Sequence, residues 1–211
     1  MNIETGHVAA EATESLVNDQ SYPSPKEIAH VSIFSGENYE AMLRFYRAVL
    51  NMRIVYRIKN SLITFTALSF DEENHRIGLV KLDSLQQRPS NTVRIEHTSW
   101  RYRNLKELLA AVRHIEGELG LFPSAVHQGK MIALSYVDPD GNRCEVYSEC
   151  LTSQKDIIDF YVNKLEHMPE FNTLLPFDLR EMLRRESEGT DIQHFNDYEW
   201  VKENLPAPAA V

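Results

Sequence analysis

The sequence predicts an α+β fold: two βαβββ modules followed by a helical extension. Three observations predict it. From residue 26 to about residue 85, apolar runs with strand alternation surround one segment of helical period, in the order strand, helix, strand, strand, strand. The same order returns over about residues 92–150, offset by about 67 residues. After Cys150 the apolar period becomes helical.

The elements follow in order. Residues 1–25 are acidic, hold few apolar residues and end near Pro23 and Pro25, which reads as a flexible leader. Ile28–Ile33 alternates as a strand, and Gly36 breaks it. Asn38 is placed to cap a helix over Tyr39–Leu50, where Met42, Phe45, Tyr46 and Val49 share one face. Strands follow at Arg53–Ile58, Ser61–Ser69 and Arg76–Leu82, with turns at Lys59-Asn60 and Asp71–Asn74.

In the second module Val93–Trp100 reads as a strand. Asn104 caps a helix over Leu105–Leu119, with Leu105, Leu108, Leu109, Val112 and Ile115 on its apolar face. Strands at Ser124–Gln128, Met131–Val137 and Arg143–Glu149 are joined by Gln128-Gly129-Lys130 and Asp138-Pro139-Asp140-Gly141. Helices over Ser153–His167 and Asp178–Glu188 form the extension, and Pro206–Val211 reads as a loose tail. The chain thus divides into a leader (1–25), a two-module domain (26–150) and a helical extension (151–211).

The net charge of −9 is unevenly spread. Residues 1–29 carry −4 (five acidic, one basic) and residues 151–211 carry −6 (twelve acidic, six basic), which leaves +1 for residues 30–150. The flanks are solubilising. No basic patch points to nucleic acid, and no polybasic amphipathic helix points to a membrane surface. No apolar run approaches the roughly 20 residues of a membrane span, and Met1–Ser24 has no apolar segment of a secretory signal. Two cysteines, Cys144 and Cys150, are too few for a disulfide framework and read as free thiols of a cytoplasmic protein.

Two segments carry a family resemblance. The run His30-Val31-Ser32-Ile33, with Met42-Leu43-Arg44-Phe45-Tyr46-Arg47-Ala48-Val49-Leu50-Asn51-Met52, resembles the opening of glyoxalase, fosfomycin-resistance and extradiol-dioxygenase domains. Tyr136-Val137-Asp138-Pro139-Asp140-Gly141-Asn142-Arg143-Cys144-Glu145-Val146-Tyr147 resembles their closing hairpin. Together they bracket the whole repeat, and the Asp-Pro-Asp-Gly hairpin followed by a strand Glu is the more specific match. The resemblance is to the vicinal-oxygen-chelate superfamily. It implies that the two modules join into an open, U-shaped mixed sheet around a cleft holding a divalent metal, and that copies of the chain pair as a homo-oligomer.

His30 and His97 fall at equivalent places in the two halves, 67 residues apart, and Glu145 follows 48 residues later on the last strand. Two imidazoles and a carboxylate facing one cleft form a facial set with the remaining metal positions open. A lone strand histidine is more often structural. Two at repeat-equivalent positions, joined by a buried carboxylate that needs a compensating cation, favour ligation. The repeat also places Gly78 at the counterpart of Glu145. Glyoxalase I-like enzymes draw a fourth protein ligand from about this place, so the three-ligand set favours the dioxygenase branch.

By resemblance to extradiol dioxygenases, His127 and Tyr136, at 18 and 9 residues before Glu145, are expected to be catalytic. His127 would be the acid/base and Tyr136 the partner of a metal-bound substrate hydroxyl. The expected activity is Fe(II)-dependent extradiol cleavage of a catechol-type aromatic diol by O2, with Mn(II) accepted by the same ligands. Two other readings remain: another metal-dependent enzyme of the scaffold, such as a glyoxalase-like lyase or isomerase or a fosfomycin-type transferase, and a non-catalytic ligand-binding protein. His75, in the acidic turn, is not assigned, and His7, His114, His167 and His194 are read as surface residues.

Overall fold

The computed structural model describes residues 25–86, 89, 95–164 and 171–207. The leader other than Pro25, residues 93 and 94 of the expected fifth strand, residues 165–167 of the expected extension helix and the last four residues of the tail lie outside them. Within the described residues the expected order of elements stands: β1 (Val31–Ser35), α1 (Tyr39–Val49), β2 (Arg53–Lys59), β3 (Thr64–Ser69), β4 (Ile77–Lys81), β5 (Thr98–Arg101), α2 (Leu105–Leu119), β6 (Ser124–His127), β7 (Met131–Val137) and β8 (Arg143–Glu149). Each module forms one open sheet, ordered β1-β4-β3-β2 in the first and β5-β8-β7-β6 in the second. The outer pairs β1/β4 and β5/β8 are parallel, and the rest are antiparallel.

Local chemistry explains the helix ends. The Asn104 side chain accepts the Glu107 N–H at the start of α2, and Gly120 closes that helix in the left-handed region at φ 66°. Asn38 differs from expectation. It precedes α1 but makes no side-chain cap bond to it. Its Nδ2 instead donates to Pro139 O at 3.0 Å and Asp140 Oδ1 at 2.9 Å in the β7–β8 hairpin of the other module.

That contact belongs to the junction between the modules. Asp138, at the head of the hairpin, is buried. Tyr46 of α1 donates its hydroxyl to Asp138 Oδ2 at 2.8 Å, and Asn142 donates both its backbone N–H and its side-chain amide to the same carboxylate. Burial pushes the Asp138 carboxyl above its ordinary range, while the bonds from Asn142 and Tyr46 pull it back. Nearby, Tyr102 donates to Val49 O at 3.0 Å. The apolar faces of both helices join Leu68, Ile77, Leu79, Ile132, Leu134 and Val146 in one core.

Each sheet therefore has a face against the helices and an open face. Register fixes which residues go where, because directly paired residues share a face and chain neighbours alternate. In the first sheet Ser32, Gly78 and Ala67 pair across one row, with Phe34, Val80 and Phe65 in the next, all on the open face. In the second sheet Ser99, Glu145 and Ser135 form the equivalent row. Ser32 and Ser99, like Gly78 and Glu145, are 67 residues apart, so the two rows are repeat counterparts.

The extension covers the helical side of the second module. The helix expected over Ser153–His167 runs as α3 (Gln154–Ile158) and then widens into a π-turn over Asp159–Lys164. Leu175–Pro176 (β9) adds a short strand to the edge of β6. The expected helix behind Asp178 is α4 (Leu179–Ser187), followed by α5 (Ile192–Phe195) and α6 (Tyr198–Asn204), two helices the sequence reading did not separate. The first residue of the tail expected to be loose, Pro206, bridges Phe177 next to the buried Leu205. Arg113 and Glu116 of α2 bind Glu186 and Arg180 of the extension.

Here two expected catalytic residues are displaced. His127 pairs with Ile132, which pairs with Ser148, and Tyr136 pairs with Cys144. Both belong to the helix-covered face, opposite to Glu145. The physical reason is parity: Ser135, not Tyr136, lies directly across from Glu145. Tyr136 is buried in the core and its hydroxyl makes no hydrogen bond to the described residues. His127 is 0 % exposed and clasps the extension. Its Nδ1 accepts Gly129 N–H at 3.0 Å, the ring hydrogen-bonds the backbone at Phe195 and Asn196, and it stands edge-on to Tyr198.

Two stability predictions follow from these buried groups. Tyr46→Phe leaves Asp138 short of one donor and should cost about 1–3 kcal/mol in urea unfolding; a variant as stable as the native chain would remove this bond from the junction. Burial holds His127 down at about 4, against about 6.5 in the unfolded chain. The unfolded chain thus binds the extra proton, and stability present above pH 6.5 is lost as the pH falls towards 4. The full loss is on the order of 3 kcal/mol. In melts at pH 7 and pH 4.5, His127→Gln should lose less stability on acidification than the native chain, and equal losses would contradict the assignment.

Candidate functional site

The open face of the second sheet carries Glu145 in the middle of β8, its side chain 7 % exposed. Ser99, its register partner on β5, donates its hydroxyl to Glu145 Oε1 at 2.5 Å. His97 stands one residue before β5, and its Nε2 lies 3.6 Å from the same oxygen. The other ring nitrogen, Nδ1, is bound by the carboxylate of Glu96. In the tautomer that donates Nδ1–H to Glu96, Nε2 presents its lone pair towards Glu145. In that tautomer the imidazole Nε2 and the nearly buried Glu145 carboxylate face each other as two acceptors, an arrangement that a shared cation relieves.

The third expected ligand is elsewhere. His30 stands one residue before β1, in the position equivalent to His97, but its residue is exposed and its ring lies tilted against His75 with centroids 4.3 Å apart. His75 in turn meets Phe65 edge-on at 5.7 Å. Burial, followed by the neighbouring His30, pushes His75 below the ordinary histidine range. Among the described residues no three His, Cys, Asp or Glu groups converge on one point. The structure therefore brings together His97 and Glu145 and leaves His30 on the partner sheet. The donor chemistry of the pair fits a divalent metal, and His30 is not drawn onto it.

The first sheet has no counterpart to the Glu145 carboxylate. The ring of Phe65 lies over Gly78, so a Cβ added there would come within 2.8 Å of Phe65 Cε2. An aromatic ring occupies the space that a ligating side chain would need. The open face beside it is apolar, with Phe34, Tyr56 and Ile58 at 63 %, 40 % and 54 % exposure. A crevice of about 190 Å³ runs between the unpaired edges of β1 and β5 and is lined by Ser32, Phe34, Tyr46, His97, Asn142 and Arg143.

Next to Glu145 the open face offers Val126, Ala133 and Ser135 where His127 and Tyr136 were expected. Tyr147, two residues beyond Glu145 on the same face of β8, is half-buried. Burial raises its phenol, the Arg101 guanidinium lowers it, and Glu149 and Glu145 raise it. The sequence reading leaves His75 unassigned and does not single out Ser99, Glu96 or Tyr147. Ser99 and Tyr147 were within reach of parity, each two residues from an assigned ligand. His75 was legible only through the β1/β4 register, which hydrogen-bonds Val31 to Arg76 and so sets His75 beside His30. Of the remaining histidines, His194 stacks on Trp200, His114 is exposed, and His7 and His167 lie outside the described residues.

Comparison with known proteins agrees with this architecture. The family model of the glyoxalase/bleomycin resistance protein/dioxygenase superfamily matches residues 27–146. Biphenyl-2,3-diol 1,2-dioxygenase 2 of Rhodococcus globerulus is 28 % identical over 188 residues, covering 87 % of this chain and 93 % of the relative. Biphenyl-2,3-diol 1,2-dioxygenase 3 of the same organism is 30 % identical over 155 residues, covering 70 % and 78 %. Among solved structures, a glyoxylase/bleomycin resistance protein/dioxygenase domain from Frankia sp. EAN1pec aligns with a TM-score of 0.51 at 16 % identity, over 60 % of this chain and 93 % of that one. No helix among the described residues is long and apolar enough to cross a membrane. With a family model spanning more than half its length, this chain belongs to the glyoxalase/bleomycin resistance protein/dioxygenase superfamily.

Proposed function

We propose that the protein is a metal-dependent extradiol dioxygenase that opens the ring of a catechol-type aromatic diol with O2. The observation that carries this reading is the His97–Glu145 pair, Nε2 to Oε1 at 3.6 Å, on the open face of the second sheet. The dioxygenase relatives, similar along most of the chain, support it. His97, Glu145 and His30 are the proposed ligands, with Fe(II) the preferred metal and Mn(II) accepted by the same donors. His30 would complete the set by leaving its contact with His75. When bound, the metal supplies a Lewis acid that acidifies the diol and an open redox position for oxygen.

The chain's own residues would do the rest. Ser99 fixes Glu145 from the neighbouring strand by donating to Oε1. Phe34, Tyr56, Ile58 and Phe65 give the aromatic substrate an apolar wall on the first sheet. Because His127 and Tyr136 face the helices, proton exchange with the diol falls to Tyr147, two residues from Glu145 on the same face of β8, or to His75, which lies against His30. A second reading is favoured by one observation: Val126, Ala133 and Ser135 beside Glu145 carry no acid or base suited to ring fission. It is a metal-dependent lyase, isomerase or transferase of the same superfamily.

Anaerobic loading with Fe(II), followed by catechol or an aryl-substituted catechol in air, should give a yellow ring-fission product. His97→Ala and Glu145→Gln should each lose the metal by elemental analysis and lose turnover. A native protein that holds iron but cleaves no diol across such a panel favours the second reading, and full iron loading of His97→Ala removes the proposed centre.

A further inference from the structure

A chain of charged groups stands behind His97. Glu96 binds His97 Nδ1 with one carboxylate oxygen and receives Arg143 Nη1 on the other. Arg143 Nη2 donates to Ser135 Oγ at 3.2 Å, and Ser135 is the register partner of Glu145. The chain therefore starts on β7 and β8 and ends at the imidazole entering β5. It closes a loop around the pair: His97 is held at Nδ1 by Glu96, and Glu145 is held at Oε1 by Ser99.

Such a carboxylate does three things to an imidazole. It fixes the Nδ1–H tautomer, sets the plane of the ring and raises the electron density at Nε2. Arg143 is placed to do the same for Glu96, since its planar fork spans Glu96 and Ser135 and limits where the carboxylate can sit. The Glu96–Arg143 ion pair is itself solvent-facing and adds little to stability. Its effect is felt at Nε2, where the sheet has already placed the half-buried imidazole against a nearly buried carboxylate.

We propose that Glu96 is a positioning residue for His97, held in turn by Arg143, and that this relay sets the affinity of the His97–Glu145 pair for a divalent cation. The inference rests on the metal-centre reading above. Loss of a comparable partner behind a ligating histidine lowers metal affinity by about 10–100-fold.

The test is titration of the full chain with Co(II) and with Zn(II) against a chromophoric chelator, together with 15N spectra of the His97 ring. Glu96→Gln should weaken binding by about 10–100-fold and shift the ring away from the Nδ1–H tautomer. Arg143→Met should weaken binding by a smaller factor, and Glu96→Asp should recover part of the loss. If His97→Ala binds both metals as the native chain does, the metal-centre reading falls and the relay with it. If His97→Ala loses the metals while Glu96→Gln keeps native affinity and tautomer, the centre stands and the relay is overturned. Should Glu96→Gln fail to fold, Arg143→Met decides: native affinity and native ring shifts in that variant overturn the relay.

Discussion

Everything about the site depends on how the two modules are held together, and one buried carboxylate does much of that. Asp138 is folded into the turn between β7 and β8 and gathers donors from Asp140, Asn142 and Tyr46. Tyr46 comes from the first module, and so does Asn38, which binds the same turn. A buried carboxylate is tolerated only when its acceptor positions are filled, so the turn and α1 are constrained to meet. The consequence is felt along β8, which starts five residues after Asp138 and carries Glu145. Joining α1 to this hairpin also sets the distance between β1 and β5, whose unpaired edges frame the crevice beside His97.

The repeat is symmetrical in backbone and unsymmetrical in chemistry. Ser32 opposite Gly78 and Ser99 opposite Glu145 are the same place in two copies of one topology. In the second copy the position holds a carboxylate with a histidine beside it. In the first it holds no side chain, and Phe65 lies across the gap. One sheet thereby becomes the polar half and the other an aromatic wall. This division suits a ligand that is itself half polar and half aromatic.

The extension adds stability on the far side of the second sheet. Phe177, Leu179, Met182, Phe195 and Val201 continue the core, and β9 covers the β6 edge that would otherwise be open to other strands. His127 works in this layer. Its two nitrogens tie the β6–β7 turn to the backbone of the extension, and its lowered basicity is the mark of burial there. A perturbed histidine is often a sign of a catalytic site; here the same signature comes from a structural clasp.

What the sequence by itself determined was everything that depends on local periodicity and on the repeat. The helix over Leu105–Leu119, the strands Met131–Val137 and Arg143–Glu149, and the doubled order of elements were readable because apolar spacing and turn residues act over a few positions. The pairing of His97 with Glu145 was also within reach, since each lies at a definite place in a repeated pattern. Tertiary structure decided which way side chains point. A strand alternates faces at every residue, so intervals of 18 and 9 before Glu145 say nothing about face until the hairpin register is known, and one residue of register separates Ser135 in the open row from Tyr136 in the core. It also decided that His30 rests on His75, that Asn38 serves the other module and that Glu96 stands behind His97. Those contacts join segments distant in the chain or depend on where a loop enters a strand, and no local pattern encodes them.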